Sequence, residues 1–128
     1  MRDYSYFQAM PSRNRKKRHQ PLSEAQLEAV ARRFRTLGVA SRLRVLNALM
    51  DGPLAMSALV EATGLSQSNL SRQVTELELA GCVARRRDGR LVTVEIADPT
   101  LAQLCELVCG SLQQQASDAH ASLRTGAR

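Results

Sequence analysis

The chain has 128 residues, of which 44% are hydrophobic and 3% aromatic, with three cysteines and a formal net charge of +6. This length predicts a single domain with a modest core, and an odd cysteine count without a framework spacing fits a reducing compartment. The sequence has no run of about 18 apolar residues, and residues 1–10 lack the apolar core of a signal peptide, so we expect a cytoplasmic protein without a membrane span.

The positive charge is concentrated at the N-terminus. Residues 1–20 contain six Lys/Arg and one Asp, a net +5, whereas the other 108 residues contain twelve Lys/Arg and eleven acidic residues, a net +1. The run "RNRKKRH" lies in a stretch without helical or alternating periodicity, which predicts a flexible basic arm over residues 1–20. Such an arm either contacts a polyanionic partner or is a solvated tail, and the sequence leaves both interpretations open.

A folded domain is predicted over residues 21–115, and it begins with three helices. Ser23 and Gln26 form a capping box, and apolar residues then recur at helical spacing until Gly38. The stretch "SRLRVLNALM" predicts a second helix. A short third helix over "AMSALVEATG" ends in a tight turn at Gly64.

A fourth helix is predicted over residues 66–80, with Ser66 as its N-cap. Leu70, Val74 and Leu77 follow the i, i+4, i+7 spacing of a buried face. Its first two turns should then point Ser68, Asn69, Arg72 and Gln73 outward. The polar run contains neither lysine nor glutamate before Glu76, unlike an ordinary solvated surface; its members are Gln67, Ser68, Asn69, Ser71, Arg72 and Gln73.

A β-hairpin and a last helix complete the domain. After Gly81 the hydrophobic period changes to two, and Asp88-Gly89 is a strong turn signal between strands over residues 83–96. Asp98-Pro99 predicts the N-cap and first residue of a helix that reaches Gln115, and residues 116–128 are predicted as a disordered tail. Four arginines flank the hairpin turn: Arg85, Arg86, Arg87 and Arg90.

This order predicts a mainly α fold with a small β-hairpin, a winged helix-turn-helix of the form α-α-α-α-β-β-α. In a helix-turn-helix the second helix enters the major groove of DNA and its N-terminal residues contact base edges. Gln and Asn pair with adenine and Arg with guanine, while arginines of the wing lie along phosphates. We therefore expect sequence-specific binding of double-stranded DNA through the six polar residues and the four arginines.

The segment from Leu27 to Leu112 resembles the ArsR/SmtB family of winged-helix bacterial repressors. The motifs "LSQSNLSRQVTEL" and "LAGCVARRRDGRLVTVEIADP" carry the resemblance. The resemblance implies a homodimer whose subunits are joined mainly through the first and last helices. It further implies a near-palindromic DNA operator and release by a chemical signal.

Several sensor positions of that family carry no ligand in this chain. The third helix has no thiol, and Asn47 stands where persulfide-sensing relatives carry a cysteine. Of the family's last-helix metal ligands only Asp98 remains, and a helix cap explains it. Because His19 and His120 both lie in the predicted tails, we expect no imidazole metal site and no cofactor.

Cys105 and Cys109 are spaced i, i+4 on the last helix, which places both sulfurs on one face. There they could bind a soft inorganic ion or react with an oxidising sulfur species, forming a thiol sensor. They could equally pack as small apolar side chains, and both interpretations stay open. Cys82 is predicted to be a core residue.

Competing functions have less support. The folded region contains no histidine, Gly-rich phosphate loop or distinctive carboxylate pair, so we do not expect an enzyme. An RNA-binding module commonly stacks bases on aromatic residues, and the folded region offers only Phe34. The main alternative is a winged-helix protein-interaction module without specific DNA binding. Such a module should carry acidic or apolar residues at position 72 or among the arginines of the wing. This chain carries neither there, which favours DNA binding.

Overall fold

The computed structural model describes residues 20–124 of the protein. The predicted basic arm therefore lies outside the described residues, except for its last residue. The chain divides between Ala31 and Arg32 into two compact units. The elements in chain order are α1 Glu24–Leu37, α2 Ala40–Ala48, β1 Leu54–Ala55, α3 Met56–Thr63, α4 Gln67–Leu79, β2 Val83–Asp88, β3 Leu91–Ile96 and α5 Thr100–Arg124.

The start of α1 is fixed by the predicted capping box. The Ser23 backbone N–H donates to Gln26 Oε1 at 2.8 Å, and the Gln26 N–H donates to Ser23 Oγ at 3.2 Å. At the other end the Gly38 N–H donates to the Phe34 carbonyl at 2.8 Å. These contacts confirm the capping box and the end of the helix predicted at Gly38.

The wing is an antiparallel hairpin with a two-residue loop. Asp88 pairs with Leu91, so the loop is Gly89-Arg90, one residue later than the predicted Asp88-Gly89 turn. Gly89 has φ of 62° and no non-glycine residue among residues 20–124 has a positive φ. This combination fits a type II′ turn, in which glycine takes the first central position.

A third, two-residue strand was not predicted. β1 pairs antiparallel with β3 through Leu54↔Val94 and Ala55↔Thr93, and the sheet order is β1-β3-β2. Two residues after Pro53 are too few to show a period of two, so hydrophobic alternation could not reveal this strand.

The core lies where the helices meet the sheet. Leu70, Val74 and Leu77 are fully buried, which confirms the predicted inner face of α4, and Cys82 is also fully buried. The side chains that join them at 1% exposure or less are Val45, Leu46, Leu59 and Val94. This packing fixes the orientation of α4 relative to α2, α3 and the wing.

Asp98 caps α5 as predicted. Its Oδ1 accepts from the Thr100 N–H at 3.0 Å and from Thr100 Oγ1 at 2.6 Å. The Thr100 hydroxyl, the Thr100 N–H and the nearby charge of Arg33 hold the pKa of this carboxyl below its ordinary value of 3.8.

The end of α5 differs from the prediction. The helix continues to Arg124, so the predicted disordered tail is wrong over residues 116–124, while residues 125–128 lie outside the described residues. No Gly or Pro interrupts the chain between Gly110 and Gly126, and Gln114 Nε2 donates to Asp118 Oδ1 at 3.0 Å one turn later. Continuous helix-forming residues therefore carry the helix past Gln115.

Candidate nucleic-acid interface

The turn between α3 and α4 is held by its own backbone and side chains. Gly64 adopts the left-handed conformation, with φ of 70°, at the end of α3. Thr63 Oγ1 donates to the Leu59 carbonyl at 2.6 Å and accepts from the Leu65 N–H at 3.3 Å. Ser66 Oγ accepts from the Asn69 N–H at 3.2 Å, which confirms the predicted N-cap. The start of α4 is therefore firmly positioned.

The outer side of α4 is polar for its first two turns. Five of the six polar residues predicted for the interface lie on this side. Asn69 is half-buried, and the exposed members are Gln67, Ser68, Ser71 and Arg72. These side chains form a continuous row of hydrogen-bonding groups beside the helix-turn-helix turn.

Gln73 does not belong to that outer row. It is buried, at 9% exposure, and its Oε1 accepts from Arg42 Nε at 3.0 Å. Its Nε2 donates to Asn69 Oδ1 at 3.0 Å. The prediction that Gln73 faces outward is wrong, because a residue three positions after Leu70 and four before Leu77 lies on their face of the helix.

Arg85 joins the wing to α4. Its Nη2 donates to the Ser71 carbonyl at 3.2 Å and to Thr75 Oγ1 at 3.1 Å. Its Nη1 lies 3.6 Å from Glu78 Oε1. This guanidinium was predicted to flank the turn and contact phosphate, but it is occupied by α4. Sequence spacing could not reveal this role, because its partners lie across the fold.

The other three wing arginines are exposed, and they differ in their partners. Arg86 is paired with Glu95 on the neighbouring strand. Among residues 20–124, Arg87 and Arg90 form no ion pair. The tip of the wing therefore presents two exposed guanidinium groups without an ion pair among the described residues. Arg72 adds a third exposed guanidinium on the outer side of α4, where its Nη2 donates to Asn69 Oδ1.

Cys105 and Cys109 lie away from α4 and the wing, along an apolar groove between α2 and α5. Cys105 is half-buried and Cys109 is exposed, and both line this groove of about 610 Å³ together with Asn47 and Met50. Burial, followed by the proximity of Cys109, raises the pKa of the Cys105 thiol above its ordinary value of 9.0. Neither thiol is in the core, in contrast to Cys82. Residues 20–124 contain no cluster of three or more metal-ligating side chains.

A rigid helix-turn-helix with an outward polar helix and an arginine-tipped hairpin defines a winged helix-turn-helix DNA-binding protein. No helix within the described part of the chain is long and apolar enough to cross a membrane. Residues 37–90, from the end of α1 through β2, match the model of the MarR family.

Three known proteins extend the comparison. The chain is 36% identical over 97 residues to the HTH-type transcriptional regulator Rv0081 of Mycobacterium tuberculosis, covering 75% of this chain and 85% of that protein. The crystal structure of Rv0081 matches with a TM-score of 0.68 and covers 76% of this chain and 98% of that chain. A "probable mercury resistance operon repressor" of Streptomyces lividans is 34% identical over 80 residues, or 62% of this chain and 64% of that protein.

The third protein is Mb0332 from Mycobacterium bovis, and the solution structure of its winged helix-turn-helix DNA-binding domain is similar to this chain. It is 31% identical, has a TM-score of 0.61 and covers 81% of this chain and 94% of that chain. That domain is described as homodimeric and as a possible ArsR-family transcriptional regulator. The chain belongs to the ArsR/SmtB family of winged-helix transcriptional regulators. The family and fold predicted from the sequence are confirmed.

Proposed function

We propose that the protein is a homodimeric transcriptional repressor that binds a near-palindromic operator, with α4 in the major groove and the wing along the phosphates. The observation that carries this proposal is the exposed polar row on the firmly capped start of α4. These side chains lose hydrogen bonds to water when they enter an interface, and a partner offsets that cost only if it offers hydrogen bonds in return, as base edges do. A regulator with this partner would act in the cytoplasm.

The side chains divide into those that contact DNA and those that position them. Gln67, Ser68, Asn69, Ser71 and Arg72 would meet base edges or nearby phosphates. Arg87 and Arg90 would contact phosphates, and Arg86 would do so on leaving Glu95. Gln73 and Arg85, which are already bonded within the fold, would hold the contacting residues in place.

Dimerisation would cover the apolar groove between α2 and α5. Phe34, Val108 and Leu112 line it and are 57%, 50% and 58% exposed. A contiguous apolar surface of this kind marks an interaction site. A second copy is the partner best supported, because the related Mb0332 domain is described as homodimeric.

The signal that releases DNA would act at Cys105 and Cys109. Residues spaced i, i+4 on a helix have Cβ atoms about 5–6 Å apart, whereas a disulfide needs about 3.5–4.5 Å. An intrahelical disulfide would therefore distort α5, and a soft metal or metalloid ion bridging two deprotonated thiols fits better. The related Streptomyces protein, described as a mercury resistance operon repressor, supports a thiophilic inducer.

Selection from a pool of randomised DNA duplexes tests the proposal. We expect the full-length protein to enrich a sequence with approximate two-fold symmetry. Bound complexes should then dissociate on addition of mercuric ion or arsenite, and a Cys105→Ser, Cys109→Ser variant should keep its DNA under the same conditions. If no sequence is enriched, the protein-interaction alternative is favoured. If the double variant also dissociates from DNA, only the proposed role of the two thiols is wrong. If an organic persulfide releases the DNA and the two ions do not, the inducer is an oxidising sulfur species rather than an ion that bridges the thiols.

A further inference from the structure

A chain of hydrogen bonds runs from α2 into the outer face of α4. Arg42 Nη1 donates to the Thr36 carbonyl at 3.2 Å, which anchors the guanidinium at the end of α1. Arg42 Nε donates to Gln73 Oε1 at 3.0 Å. A guanidinium has only donors, so the oxygen of the Gln73 amide must face Arg42 and its NH2 group must face the other way.

The orientation of Gln73 determines that of Asn69. Gln73 Nε2 donates to Asn69 Oδ1 at 3.0 Å, and Arg72 Nη2 donates to the same oxygen at 3.3 Å. A carbonyl oxygen has two lone pairs, so these two donors occupy both of them. Asn69 therefore keeps only its NH2 group for a partner outside the protein.

This polarity bears on which base the helix can read. An asparagine pairs bidentately with adenine by donating to N7 and accepting from N6, which requires a free amide oxygen. Guanine presents two acceptors in the major groove, N7 and O6. Asn69 and Arg72 together offer donors alone, and guanine is the base edge that consists only of acceptors.

We infer that Arg42 and Gln73 are positioning residues that lock the Asn69 amide with its NH2 group outward. The recognition helix consequently selects guanine rather than adenine at the base that residue 69 reads. This inference rests on the proposed function, and it names the base class of the operator at one position. The general expectation that asparagine reads adenine does not apply to this chain.

The first test uses duplexes selected by the wild-type protein from a randomised pool. The base pair read by residue 69 is the one at which an Asn69→Ala variant loses its preference. At that pair we expect the wild type to bind guanine about fivefold or more tightly than adenine. A preference for adenine overturns the inference and leaves the proposed function standing. A wild type without preference at any position overturns both.

A second test reverses the direction of the hydrogen bond between Gln73 and Asn69. In Gln73→Glu the carboxylate still accepts from Arg42 but has no donor for the Asn69 oxygen. Asn69 bonds to this carboxylate only by turning its NH2 group inward, which points its oxygen outward and gives up the bond from Arg72. We expect the ratio of guanine to adenine binding to fall about fivefold. Gln26→Glu is the matched control, because it makes the same substitution in the capping box of α1, where a glutamate accepts from the Ser23 N–H as the glutamine does, and its ratio should equal that of the wild type. An unchanged ratio in Gln73→Glu overturns the inference.

A third measurement needs no variant and no DNA. In the wild-type protein the side-chain NH2 of Gln73 is buried and bonded to Asn69, so its hydrogens should exchange with solvent far more slowly than those of the exposed Gln67. Side-chain amide exchange measured by NMR decides this. Exchange of Gln73 as fast as that of Gln67 contradicts the locked orientation.

Discussion

Side chains on α4 and the wing divide into two groups according to whether their hydrogen-bonding groups are already engaged. Arg72 has most of its guanidinium free, and Arg87 has no ion pair among the described residues. Arg85, in contrast, is bonded to α4 on three sides. Free guanidinium groups can contact a duplex without first breaking a contact within the protein, so substitutions in the two groups should have different effects.

Arg72→Ala and Arg87→Ala should separate base reading from phosphate contact. Arg72→Ala should reduce the preference for the selected duplex over unrelated DNA by about 1–3 kcal/mol. Arg87→Ala should weaken binding to all duplexes alike and lower the salt dependence by about one ion for each lost phosphate contact. Fluorescence anisotropy at several salt concentrations measures both quantities. Equal loss of preference in the two variants would contradict the division of roles.

The three cysteines should react with an alkylating reagent in the order of their exposure. Cys109 is exposed, Cys105 is half-buried with a raised pKa, and Cys82 is fully buried. At pH 8 iodoacetamide should modify Cys109 first and leave Cys82 unmodified. The rate at Cys105 should continue to rise above pH 9, because a pKa raised above the ordinary value of 9.0 leaves most of this thiol protonated at that pH. Mass spectrometry of timed samples provides the rates, and faster reaction at Cys105 than at Cys109 would count against this site geometry.

At the level of the elements, the helix-turn-helix depends on a glycine that no other residue replaces without strain. Gly64 has φ of 70°, and a Cβ built on it would meet nothing within 4 Å. The cost of a larger residue there is therefore conformational rather than steric. This cost bears on the angle between α3 and α4, and hence on how the outer row of α4 meets a duplex.

Gly64→Ala should destabilise the fold by about 1–2 kcal/mol, because alanine must adopt a left-handed conformation. Gly110→Ala is the matched control: it lies inside α5, and a Cβ there also meets nothing within 4 Å. Alanine should stabilise that helix by about 0.5–1 kcal/mol. Urea unfolding at one fixed protein concentration measures both changes. Destabilisation of similar size in both variants would show that the loss is not specific to the turn.

The elements were predictable from sequence because their signals are local. The apolar spacing of α4, the Ser23 capping box and the hairpin each involve residues close in the chain. The structure has all three, with the hairpin loop one residue later than predicted. Gln73 and Arg85 were misassigned for the opposite reason. Their partners Arg42 and Thr75 are distant in sequence, and only tertiary packing brings them together. The exposed polar side of α4 could thus be predicted from sequence, but the bonding of Gln73 and Arg85 within the fold could not.

The molecule as a whole leaves the groove between α2 and α5 open, and a second copy would close it. Val108→Asp should weaken dimerisation by at least about 2 kcal/mol, because it buries a charge in an apolar contact. Leu79→Asp is the control, since Leu79 is 79% exposed at the end of α4 and lies outside the groove. Sedimentation equilibrium should find Leu79→Asp dimeric and Val108→Asp largely monomeric. A dimeric Val108→Asp would place the interface elsewhere.

The central claim is that two copies of α4 read one operator in its major groove. Protection of guanine N7 from dimethyl sulfate on the selected duplex tests this directly, because N7 lies in the major groove. We expect two protected patches whose centres lie about 10 base pairs, or one helical turn, apart, as two-fold related recognition helices require. A single patch, or no protection at a saturating concentration of protein, would contradict the claim.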